Sequence, residues 1–130
     1  MGGNMNPKTE ELLQRTFNFG VDTLKFLMLL PKDKAYGIIT FQLGKAATSL
    51  GSNYEEAQGA ESSKDFNHKI GIVLKEARES NFWLRVLNAI SSDSEYANES
   101  QRLLSESLEF KKIFSAIKIK TDSSSKKKRN

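Results

Sequence analysis

Glu76 and Glu79 stand three residues apart in the stretch LKEARES. On a helix that spacing puts both carboxylates on one strip, where two acids can hold one hard cation weakly. The same pair also suits a simpler role. Acids on a strip shared with apolar residues are partly buried and need partners, and Lys45, Arg78 and Arg85 are the cations at hand. An ion-pair and hydrogen-bond network that sets helix register or subunit contacts is therefore the expected use. Di-iron bundles need a Glu-x-x-His motif on each of two helices, and this chain has a single histidine, His68, with no such motif. GKAATS places Gly44 and Lys45 near Thr48 and Ser49 but lacks the upstream glycine and strand of a phosphate loop. There is no G-x-G-x-x-G, no G-x-S-x-G and no cysteine. The expectation is a protein that is not an enzyme, with no catalytic residues, no metal and no cofactor.

The remaining chemistry is charge. The chain carries a net +4, but residues 1–120 hold 16 basic and 15 acidic side chains. The excess sits in TDSSSKKKRN, residues 121–130. Lys126, Lys127, Lys128 and Arg129 can neutralise phosphates without reading bases, and Lys45 and Arg85 would add to this if exposed. The competing reading is a solubilising, flexible tail. The longest strongly apolar run, FLMLL at 26–30, is far too short for a bilayer, which needs about 20 residues. No apolar leader follows Met1, so a cytoplasmic protein without membrane contact is expected.

These residues are carried by four helical segments and no convincing strand. The first starts at Asn6-Pro7, with the stripe Leu13, Phe17, Gly20, Leu24, Leu27 widened by Met28, and is closed by Pro31. The second starts at Asp33, runs to about Gln58, and has the stripe Leu43, Ala47, Leu50, Tyr54, Ala57. The third starts after Ser62 or Ser63 and reaches Ile90, with Phe66, Ile70, Val73, Ala77, Ser80, Leu84 and Leu87 on one side. Ser92 and Glu95 form a candidate capping box before the fourth, which carries Leu104, Leu108, Ile113, Phe114 and Ile117 and frays near Thr121. Long helices with 4-3 spacing and short turns predict an all-α, antiparallel up-down-up-down four-helix bundle over 6–120, followed by the tail 121–130.

Helix 2 carries two unusual strips. Gly37, Gly44 and Gly51 recur every seven residues, each costing about 1 kcal/mol relative to Ala. Close backbone approach by another helix, in the same chain or a neighbouring subunit, would offset that cost. Beside them runs a polar strip, Lys45, Ser49, Ser52 or Asn53, and Glu56.

QLGKAATSLGSNYEEA, residues 42–57, resembles the helix-2 signature of four-helix-bundle proteins related to the 23S rRNA intervening-sequence proteins, also labelled the S23 ribosomal protein family. Gln42, Leu43, Ala46, Ser49, Asn53 and Glu56 match a pattern of the form Q-L-x-R-A-x-x-S-I-x-x-N-I-x-E-G. In KDFNHKIGIVLKEARESNFWLRVL, residues 64–87, Asp65, Phe66, Lys75, Glu76, Ala77, Glu79, Ser80, Trp83 and Leu84 match a second block. Lys45 replaces the usual Arg, Gly44 a frequent second basic residue, Tyr54 a small aliphatic one and Ala57 a Gly. The resemblance implies a homopentameric ring, in which the glycine strip and the Asn53/Glu56 strip meet a second helix, and Gln42, Ser49, Asn53, Glu56, Glu76 and Glu79 are the candidate structural or interface polar network. By analogy with a nucleic-acid-binding relative, it also implies a partner that is RNA or DNA. The alternative is a protein–protein adaptor.

Overall fold

The structure, a computed structural model, describes residues 6–91 and 95–129, with side chains of the last helix up to Ser124. Among the described residues there are four helices and no strand: α1 (Pro7–Leu27), α2 (Lys34–Ala57), α3 (Ser63–Ile90) and α4 (Ala97–Arg129). Local chemistry sets their starts. The Asn6 side chain accepts a hydrogen bond from the Lys8 amide at 2.8 Å, ahead of Pro7. Asp33 accepts from Tyr36 at 2.9 Å and Ser62 from Asp65 at 3.0 Å. Ser92, expected as a cap, lies outside the described residues.

Two ends differ from expectation. α1 stops at Leu27, and Leu29 and Leu30 close short turns before Pro31. α4 does not fray at Thr121 but continues to Arg129. Lys118 and Thr121 both bond Asn67 of α3, and Lys118 also pairs with Asp122, so the last turns with described side chains are tied down.

α1 packs on α2, α2 on α3 and α3 on α4, while α4 touches α1 more lightly. The core runs through Ile39, Leu43, Leu50, Ile70, Val73, Leu84, Leu87, Leu103, Phe110 and Phe114. Phe110 meets the edge of Phe19 at 5.3 Å and Phe114 that of Tyr54 at 5.1 Å, so α4 reaches both α1 and α2. The stripes expected for α2 and α3 are buried, save Phe66, which is partly so.

Those of α1 and α4 are buried only in part: Gly20, Leu27 and Phe114 lie inside as expected. Phe17 is 58% and Leu24 44% exposed, and Leu12, Thr16, Phe19, Thr23, Phe26 and Leu30 are buried beside Gly20 and Leu27. In α4, Leu108 is exposed, and Ser100, Leu103, Ser107, Phe110 and Phe114 are buried. In both helices the true line contains hydroxyls, which a search for apolar periodicity passes over. A hydroxyl on a buried helix can bond a carbonyl one turn back. Thr16 does so to Leu13 at 3.1 Å and Ser107 to Leu104 at 2.7 Å.

Candidate interaction surfaces

α2 is buried on two sides. Leu43, Ala47, Leu50 and Tyr54 serve the core, and a strip of small residues receives α1. A Cβ on Gly51 would lie 3.1 Å from the Thr16 carbonyl oxygen, and one on Gly44 3.5 Å from Leu24 and Leu27. From the other helix, a Cβ on Gly20 would lie 3.4 Å from the Ala47 oxygen. The close approach is thus between α1 and α2 of one chain. Gly37 does not share it: nothing lies within 4 Å of where its Cβ would be. It sits beyond the crossing, at the open end of the α1–α2 groove.

That groove is flanked by exposed apolar side chains. Phe17, Leu24 and Met28 line up on α1, and Ile38 and Phe41 on α2. Between them is a hollow of about 800 Å³, walled by Leu24, Leu27, Met28, Pro31, Gly37 and Phe41. The sequence places the α1 half of this surface in the core. What separates them is that each exposed apolar residue has a buried neighbour at the next position or two along.

The polar strips are less connected than expected. Gln42, Ser49 and Asn53 are half-buried and Glu56 is exposed. Asn53 turns back to the Ser49 carbonyl of its own helix at 2.8 Å. Glu76 and Glu79 are half-buried, yet among the described residues neither forms an ion pair, nor does Lys45, Arg78 or Arg85. The expected ion-pair network is therefore not formed within the chain among the described residues. Burial, followed by the neighbouring Glu79 charge, holds the Glu76 carboxyl above the ordinary carboxylate range, and Lys75 and Lys45 only partly offset this. No group of three or more potential metal ligands occurs among the described residues, and His68 is exposed.

Lys45 and Arg85 are both exposed but do not form one surface. Lys45 lies toward Glu76 on the α2 side of α3. Arg85 donates to Asn81 at 3.1 Å on the α4 side, where Asn81 also bonds Ser107. Lys126, Lys127, Lys128 and Arg129 have side chains outside the described residues.

The sequence reading missed a seam of amides between α3 and α4. Asn67 accepts from Thr121 and from Lys118, Asn81 donates to Ser107 at 3.1 Å, and Asn88 donates to the Ser100 carbonyl at 3.3 Å. The signal was present as heptad-spaced asparagines, with Leu74 at the fourth position. Apolar periodicity alone does not find them.

Residues 8–116 match the family described as 23S rRNA-intervening sequence protein. The chain belongs to that family. A crystal structure at 1.70 Å, of a protein with unknown function from the S23 ribosomal protein family from Bacteroides thetaiotaomicron VPI-5482, is similar with a TM-score of 0.73. Identity is 26%, over 85% of this chain and 96% of that one. No curated protein matches the chain. The intervening-sequence family match reaches all four helices and takes in the glycine crossing and the Asn81 and Asn88 bonds of the amide seam, while Lys118 and Thr121, the partners of Asn67, lie beyond it. Among the described residues, no helix is long and apolar enough to cross a membrane.

Proposed function

We propose that this chain is a non-enzymatic, self-assembling helical bundle whose assembled form associates with nucleic acid. The observation that carries the assembly is the α1–α2 face. It presents both protruding apolar side chains, Met28 at 79% and Phe41 at 66% exposure, and an apolar hollow of about 800 Å³ beside them. A surface with knob and hole together suits contact with another copy of itself. If the two patches meet head-to-tail, rotation closes a ring, and a homopentamer is the expected size. Each large side chain covered adds on the order of 1 kcal/mol.

The bundle reads as up-down-up-down. Gly51 meets Thr16 while Gly44 meets Leu24 and Leu27, so α1 and α2 are opposed. Arg15 pairs with Glu106 and Asp22 with Arg102, so α1 and α4 are opposed too. Nucleic-acid association is supported by the net +4 charge and by the family's description, and it needs no base contact.

The test is mass by light scattering, for wild type and for the Met28→Glu/Phe41→Glu variant. Wild type should run at a multiple of 14.6 kDa. The variant should run as a single chain with unchanged helical circular dichroism. Wild type at single-chain mass across micromolar concentrations would sink the assembly, and the apolar face would then be read as the seat of a different protein.

A further inference from the structure

The near-neutral body is not uniformly neutral. Along the outer edge where α3 meets α4, basic side chains gather with little acid among them. Arg78 and Arg85 are exposed, one heptad apart on α3, with Phe82 between them at 47% exposure. The Arg85 guanidinium lies 5.7 Å from the centroid of the Phe82 ring. From α4, Lys111 reaches the same Asn81 Oδ1 that Arg85 uses, at 3.2 and 3.1 Å. Two cations therefore converge on one neutral oxygen, and among the described residues neither forms an ion pair with a carboxylate. One α4 heptad further on, Lys118 bonds Asn67 at 3.0 Å and stands 3.6 Å from where a Cβ on Gly71 would be. Among the described residues the strip holds one ion pair, Lys118 with Asp122 at 3.3 Å. Other arginines of the bundle are held by acids: Arg15 by Glu106, and Arg102 by Asp22 and Glu99.

Like charges left close together raise the local potential and are relieved by an anion. A polyanion gains most, because each neutralised phosphate releases counterions. An exposed ring set between cations adds a platform for an unpaired base, since every base has a face to stack. A second copy of this strip would meet it with repulsion, so the strip is not a contact of the chain with the same strip of another copy.

We infer that the α3–α4 edge is a binding strip for single-stranded nucleic acid, with Arg78, Arg85, Lys111 and Lys118 on phosphates and a base on Phe82. This rests on the nucleic-acid reading above and moves its seat away from Lys45 and the C-terminal run.

The experiment is fluorescence anisotropy with labelled single-stranded RNA, single-stranded DNA and duplex DNA on the full chain, across a salt series. The variants are Arg78→Gln/Arg85→Gln, Phe82→Leu, and Lys126, Lys127, Lys128 and Arg129 all changed to Gln. Circular dichroism and mass confirm that each is folded and assembled as wild type. The arginine pair should weaken single-strand binding about tenfold or more and flatten the log–log salt slope by about 1.4. Phe82→Leu should weaken it at least about fivefold with the slope unchanged. RNA and DNA single strands should respond alike, and both should bind better than the duplex. If wild type binds but only the C-terminal variant loses affinity, the strip is wrong and the nucleic-acid reading stands. If the arginine pair and Phe82→Leu both bind as wild type, the strip is likewise wrong. If wild type binds no strand at about 100 mM salt, where several phosphate contacts should still hold, both fail.

Discussion

Gly37 and Gly51 share a helix and a heptad phase, yet a methyl group on each would meet opposite surroundings. At Gly37 it enters open space, and at Gly51 it lands 3.1 Å from a backbone oxygen of α1, which has no rotamer to move aside. We expect Gly37→Ala to raise the urea midpoint, by about 0.5–1 kcal/mol of helix stabilisation. Gly51→Ala should lower it, because overpacking at about 1–3 kcal/mol outweighs the helix gain of about 1 kcal/mol. A shift of the same sign in both variants would contradict the α1–α2 crossing. Glu76 offers a second residue-scale check. Its carboxyl is held up by burial and then by Glu79, so the folded state prefers the protonated form. The stability this provides is complete below the unfolded pKa and is lost as pH rises through the folded one. Glu76→Gln should therefore be the more stable protein near neutral pH. The two should converge at about pH 3, below the ordinary carboxylate range. Urea titrations of both proteins across pH would show it, and a constant gap at every pH would rule it out.

At the scale of the helix, the four segments and most of their caps were legible. Asn6-Pro7, Asp33 and Ser62 are local signals, decided by atoms within one turn. The buried faces of α2 and α3 were legible for a related reason: their apolar residues outnumber the alternatives on one side. α1 and α4 were legible only in part, because each is apolar on more than one side and puts hydroxyls in the core. Nothing in Phe17 or Leu24 distinguishes an outer apolar line from an inner one, whereas Phe19 and Phe110 find each other only in three dimensions. The same hydroxyls carry a prediction. Thr23 and Ser100 are fully buried, and their oxygens have no hydrogen-bond partner among the described residues. Thr23→Val and Ser100→Ala should each raise stability by about 1 kcal/mol, since an unmade buried hydrogen bond is costlier than an apolar group of similar shape. Thermal and urea unfolding report this. A loss in both would mean that the hydroxyls are satisfied.

For the whole molecule, the outward apolar line of α1 matters more than any single contact. If the α1–α2 face is covered by further copies, the melting temperature must rise with protein concentration, because mass action stabilises only the associated form. Met28→Glu/Phe41→Glu should abolish that dependence, while wild type with no concentration dependence over two decades would oppose assembly. The candidate surfaces were the least legible feature in sequence. Lys45 and Arg85 look equivalent as letters, and α3 itself stands between them. The amide seam carries one more consequence. Asn67, Leu74, Asn81 and Asn88 on α3 fall opposite Thr121, Phe114, Ser107 and Ser100 of α4, by the bonds of the three amides. Read as a word, α3 spells amide, leucine, amide, amide, and α4 spells its complement. Slide either helix by a heptad and an amide must face Phe114. The word has no translation onto itself, so the alignment of the two longest helices is encoded by a single irregular letter, Leu74, in an otherwise repeating text.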